Sequence, residues 1–132
     1  MFDVIIIGGS AAATSAGIYA ARRGLNVKIL TKEFGGEVIT SGEIGNWPGD
    51  GMTDGITLSG KFKSHLEYYK VSIEENVWVE RVEKRADGTF CVHAKKDASV
   101  KHVGDKIEAS ATGPTCDYEA KAVIIATGVH PR

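Results

Sequence analysis

The residues with the clearest chemical potential are the small ones that follow the first apolar run, Gly8, Gly9, Ser10, Ala11, Ala12 and Ala13 in "VIIIGGSAAATSAG". A strand that runs through a glycine turn into a helix presents free backbone N–H groups at the helix start, and such groups bind anions. In a dinucleotide fingerprint three positions each have a task. The first glycine makes the tight turn, and Gly8 fills it. The second lets a pyrophosphate approach the backbone, and here it is Ser10. The third lets helix and strand pack closely, and Ala13 is an accepted substitute. A serine is small, and its hydroxyl is expected to donate to a phosphate oxygen. Taken alone, the loop fits either a nucleotide site or a structural turn. The next strand ends in "TKE", and Glu33 lies near the distance of about 20 residues past the loop at which a carboxylate holds ribose hydroxyls.

The elements that must position this loop are legible in outline. "DVIIIG" (3–8) reads as a strand buried on both faces, of the kind found in parallel sheets. Residues 11–24 read as a helix with Ala and Gly at 13, 16, 17, 20 and 21 along one side, and Gly24 as its stop. "LNVKIL" (25–30) reads as a second strand, so the opening is a right-handed strand–helix–strand crossover. Residues 33–52, rich in glycine, read as a functional loop. A helix is expected over about 54–70, capped by Asp54, with Ile56, Phe62, Leu66 and Tyr69 on its apolar face. "VWVERVEKR" (77–85), the turn "ADG" and "TFCVHA" (89–94) read as an antiparallel hairpin. Residues 95–115 are weakly patterned, with a strand conceivable in "DKIEASA". "CDYEAKAVIIATG" then gives a short strand and a last buried one at 122–127.

Composition narrows the function classes. A chain of 132 residues with 42% hydrophobic and 25% charged residues suits one globular domain, and a net charge of −1 offers no electrostatic basis for binding nucleic acid or an anionic membrane. No apolar run approaches the roughly 20 residues that span a bilayer, and "FDVIII" lacks the basic leader of a secretory signal. Cys91 and Cys116 are too far apart for a Cys-x-x-Cys pair and too few for structural zinc, so they read as two reduced cysteines that fill space in a reducing cytosol. His65, His93, His102 and His130 share no ligand spacing, so no metal site is expected. Lys95, Lys96 and Lys101 read as a solvated edge.

A more specific signal lies at 35–50. "GGEVITSGEIGNWPGD" resembles the flavin-contacting segment of thioredoxin reductases, in which Gly-Gly-Gln precedes an acidic-x-x-Asn-aromatic-Pro-Gly sequence. The matching residues are Gly35, Gly36, Glu37, Glu43, Asn46, Trp47, Pro48 and Gly49. "FDVIIIGG" with "AGIYAARRGL" resembles the family's opening strand and helix, and "AVIIATGVHPR" its alanine–threonine–glycine strand. The resemblance implies an α/β fold: a Rossmann-like parallel sheet with helices and an inserted antiparallel β-meander. It also implies FAD as cofactor. Gly8, Gly9, Ser10, Ala11 and Ala12 would surround the pyrophosphate. Thr31, Lys32 and Glu33 would border the adenosine ribose. Gly35, Gly36 and Glu37 would lie along the ribityl and flavin side, with Asn46 near the flavin. Trp78 and Val79 would offer backbone to the adenine, and Ala126, Thr127 and Gly128 would pass close to the cofactor. Glu37 stands where the family has glutamine, and a carboxylate there is expected to lower the flavin potential.

The same resemblance implies a larger enzyme, cytoplasmic, that passes electrons from NADPH through FAD to a cysteine pair and on to a thioredoxin-like protein. Residues 1–132 would be the first segment of its FAD-binding domain, with the NADPH domain and a returning C-terminal segment absent. No residue here would be catalytic. Without the returning segment, "AVIIAT" would be an exposed apolar edge, so homodimerisation or self-association through it is expected. Two rival readings are a ferredoxin/flavodoxin–NADP reductase-like flavoprotein and a non-catalytic nucleotide-binding fragment.

Overall fold

The computed structural model describes residues 1–96 and 115–129. Strand β1 (Phe2–Ile7) leads through the glycine turn into helix α1 (Ala11–Arg22) and then β2 (Val27–Leu30). A short helix α2 (Gly36–Thr40) and the two-residue strands β3 (Glu43–Ile44) and β4 (Thr53–Asp54) precede helix α3 (Gly55–Tyr68). Strands β5 (Ser72–Glu74), β6 (Val77–Lys84), β7 (Phe90–Lys96) and β8 (Tyr118–Ile125) complete the described chain. The main sheet has six strands in the order β5-β2-β1-β8-β7-β6. Its β5-β2-β1-β8 half is parallel, and β8-β7-β6 is antiparallel. The α/β fold with a parallel sheet and an antiparallel meander is therefore the one the residues indicated.

Alternation along β1 builds two cores. Val4 and Ile6 face α1 and α3, where they meet Ala13, Leu58, Phe62 and Leu66. Ile5 and Ile7 face the other way and pack with Leu30, Val77, Val92 and Ala120, so the hairpin closes over the face opposite the helices. Helix α1 lies close on the sheet because it carries no bulk on that side. A Cβ at Gly17 would fall 3.3 Å from the Ile29 side chain of β2 and 2.8 Å from Leu66 of α3. The helix ends where expected, with Gly24 at φ +75° and its N–H bonded to the Ala21 carbonyl.

Several expectations need correction. The 33–52 segment is not all loop: it holds α2 and β3. On α3, Leu58 rather than Ile56 faces the core, being 2% against 74% exposed. Asp54 caps that helix as expected, accepting from the Thr57 N–H at 2.8 Å. Strand β5 is not legible in the sequence, since three residues with one apolar side chain carry no period. The last two strands are one, β8, and its C-terminal half is not buried. Antiparallel pairing with β7 stops at Ala120, while parallel pairing with β1 runs on to Ile125, which is 70% exposed. Cys91 and Cys116 are not two reduced space-fillers: their sulfurs are bonded to each other. The inference of a reducing compartment from unpaired cysteines loses its basis. The strand considered in "DKIEASA", together with Lys101, His102 and His130, lies outside the described residues.

Candidate functional site

The site forms at the carboxyl ends of β1, β2 and β8, where two glycine turns and the end of β8 converge. Gly8 has φ +120°, and a Cβ on it would lie 2.0 Å from the Ala126 carbonyl oxygen, so only glycine fits. The Ala126 N–H donates to the Ile7 carbonyl at 2.8 Å, which draws Ala126 and Thr127 across the front of the turn. Gly9 rests against the Thr31 side chain, 2.7 Å from where its Cβ would be.

Ser10 starts α1 through its carbonyl, which accepts from the Thr14 N–H at 2.9 Å, while its side chain makes no capping bond. The hydroxyl instead donates to the Gly35 carbonyl at 2.7 Å, and the Gly35 N–H donates to the Gly9 carbonyl at 2.6 Å. Contrary to expectation, then, the Ser10 hydrogen is committed to the protein and not to a phosphate. Its role is to bolt the 33–36 turn to the first turn. The consequence favours anion binding, because the hydroxyl leaves the first-turn N–H groups uncapped. Among the described residues, no backbone or capping side-chain acceptor takes the N–H groups of Ala11, Ala12 and Ala13. Gly35 and Gly36 both have positive φ, and a Cβ on Gly36 would face Ser10 at 3.3 Å.

A second cluster continues from this one. The Val77 N–H donates to the Thr31 carbonyl and the Asn76 N–H to the Lys32 carbonyl, which lays 76–79 beside 31–33. Lys32 sits over the Trp78 ring at 5.4 Å, and Lys32, Asn76 and Trp78 line a shallow groove. Glu33 lines its extension with Glu75. The Val79 side chain packs toward the second core. Nothing in the sequence marks Glu75 as a site residue. Its Oε1 accepts the Phe34 N–H at 3.1 Å, and its Oε2 meets Lys63 at 3.0 Å. Partial burial opposes ionisation of Glu75, but the Lys63 ammonium and the Phe34 N–H outweigh it and hold the carboxyl below its usual range. No local motif announces such a residue, because its partner lies 41 positions away.

Gly8, Gly9, Ser10, Ala11, Ala12, Gly35, Gly36, Ala126 and Thr127 thus gather in one place, with Thr31, Lys32, Glu33 and Val79 along one side. Gly128 follows at φ +64°, exposed. Glu37 is exposed in the first turn of α2. Asn46 lies exposed between β3 and β4 and is not among the residues gathered at the glycine turns. Its neighbour Trp47 packs edge-on against Phe62, with ring centroids 5.1 Å apart. Unpaired amides at a helix start, beside turns that admit no Cβ, suit a diphosphate.

A parallel half-sheet of this order, with glycine turns at the carboxyl ends of its strands, is of the dinucleotide-binding type of α/β fold. The chain belongs to the pyridine nucleotide-disulphide oxidoreductase family, which it matches over residues 2–132. It is similar to an alkyl hydroperoxide reductase component of Staphylococcus epidermidis, 30% identical over 96% of this chain and 21% of the relative. An NADH dehydrogenase of Bacillus subtilis is 32% identical over 64% of this chain and 16% of its own length. Among solved structures, a thioredoxin reductase of Lactococcus lactis superposes with a TM-score of 0.80 at 26% identity, over 100% of this chain and 37% of that one. The chain spans about a third of that structure and about a fifth or less of those curated relatives. No helix among the described residues is long and apolar enough to cross a membrane.

Proposed function

We propose that this chain binds FAD, as the first segment of the FAD-binding domain of an NADPH-dependent flavoprotein disulfide reductase of thioredoxin reductase type. The observation that carries the reading is the set of partnerless amides at Ala11, Ala12 and Ala13, beside the close-packed turns at Gly8 and Gly36. In this reading those amides and the helix dipole hold the FAD diphosphate. Glu33 takes the adenosine ribose, and the Lys32–Trp78 groove borders the adenine. Gly36, Glu37 and Asn46 follow the ribityl chain toward the flavin. Bound FAD supplies hydride and electron transfer, and the residues here position it. Transfer to a cysteine pair and then to a thioredoxin-like protein belongs to the longer protein.

The test is FAD binding by the purified chain, read by visible absorbance after gel filtration and by quenching of flavin fluorescence on titration. The expected result is saturable binding that Ser10→Asp abolishes, because a carboxylate at the helix start repels the diphosphate. A chain that stays colourless and leaves flavin fluorescence unquenched at high protein concentration would overturn the proposal.

A further inference from the structure

We infer that the Cys91–Cys116 disulfide is a redox site in its own right, one that exchanges with an external dithiol by attack at Cys116 and releases Cys91 toward His93. The inference does not rest on flavin binding. Cys91 lies on β7, opposite Glu83 of β6 and Glu119 of β8, and Cys116 directly precedes β8. Their Cα atoms are 5.6 Å apart. Cys91 is 3% exposed, whereas Cys116 is only partly buried. An attacking thiolate arriving from solvent therefore reaches the Cys116 sulfur, and Cys91 is the leaving group.

The surroundings are prepared for that departure. His93 Nε2 lies 3.3 Å from the Cys91 Sγ. The same nitrogen is 3.4 Å from a Glu83 oxygen and 3.2 Å from an Arg81 nitrogen. With its hydrogen on Nε2, the imidazole donates a hydrogen bond to the departing Cys91 thiolate, and a better-stabilised leaving thiolate speeds exchange. Glu83 positions the ring. The Cys116 sulfur lies 3.0 Å from the Tyr118 carbonyl oxygen, which accepts from the thiol once one exists. Both sulfurs thus have a polar partner for the reduced state. A disulfide that served only as a covalent staple would need neither.

The reaction balances as two displacements. A dithiol thiolate attacks the Cys116 sulfur, the Cys91–Cys116 bond breaks, and Cys91 leaves with the electron pair as a thiolate held by the His93 N–H, then takes a proton from solvent. The second thiolate of the reagent then attacks its own sulfur in the mixed disulfide. Cys116 leaves, takes a proton from solvent, and the reagent departs as a cyclic disulfide. Two electrons and two protons move from dithiol to protein.

The experiment treats the folded, purified chain with dithiothreitol without denaturant, quenches with iodoacetamide and counts alkylated cysteines by mass. Reduction is expected to be complete and reversible, and His93→Gln is expected to slow it at least tenfold while circular dichroism stays unchanged. In a parallel arm, brief exposure of the native chain to glutathione is expected to leave the adduct on the Cys116 peptide. Reduction only in denaturant, an adduct on Cys91, or an unchanged rate in a folded His93→Gln variant would each overturn the inference. If that variant does not fold, the position of the adduct on the unmutated chain decides.

Discussion

At the scale of single residues, Gly8 and Ser10 teach different lessons. Gly8→Ala must move the Ala126 carbonyl and tolerate φ +120°. It is expected to cost at least about 2 kcal/mol, from strain and overpacking together. Gly24→Ala is the control: φ is also positive at +75°, but no atom lies within 4 Å of the added Cβ, so about 1 kcal/mol is expected. Urea unfolding of the two variants measures the difference, and equal losses would show that the Ala126 contact does not constrain the turn. The need for glycine at position 8 was legible because the strand–turn–helix context is local. The partner of the Ser10 hydroxyl was not, since a carbonyl 25 positions away leaves no trace in a local pattern. Ser10→Ala should therefore lower stability by about 1 kcal/mol, the net worth of one hydrogen bond.

At the scale of elements, the cap and the clamp respond to acid in the same direction. The Thr57 N–H and hydroxyl lower the Asp54 carboxyl, and Lys63 with the Phe34 N–H lowers that of Glu75 against partial burial. A group whose folded pKa is depressed stabilises fully above its unfolded value and loses that contribution as pH falls through the folded one. Stability should therefore decline on acidification below the ordinary values of 3.8 and 4.5, and Asp54→Asn with Glu75→Gln should flatten the decline. Thermal melts across that range check it; an unchanged slope would show that other carboxylates set the acid limit. Elements with a strong period, such as β1, α1, α3 and the β6–β7 hairpin, could be read directly. Strand β8 could not be assessed for burial, because "AVII" is apolar whether or not anything covers it. Its edge beyond Ala120 has no partner on the β7 side among the described residues, and Ile125 is 70% exposed. Self-association through this edge is expected, and Ile125→Lys should suppress it in light scattering without lowering stability.

At the scale of the whole molecule, the chain divides its labour between two halves of one sheet. The parallel half carries the glycine turns, and the antiparallel half carries the disulfide, with β8 shared between them. Joining residues 25 positions apart removes unfolded-state entropy worth about 3–4 kcal/mol, so reduction should lower the melting temperature markedly. It should not abolish cofactor binding. The contacts that hold the glycine turns, from Gly8 to Ala126, Ser10 to Gly35 and Gly9 to Thr31, all lie outside β7. A ligand present at 100 times its Kd stabilises the folded state by about 2.7 kcal/mol whatever the starting stability. FAD should therefore raise the melting temperature of the oxidised and the dithiothreitol-reduced chain alike, whereas Gly8→Ala should lose the ligand-dependent increment. If reduction erased the FAD-dependent shift while the chain remained folded, the disulfide half would be holding the glycine turns in their binding arrangement, and the two halves would be one mechanical unit.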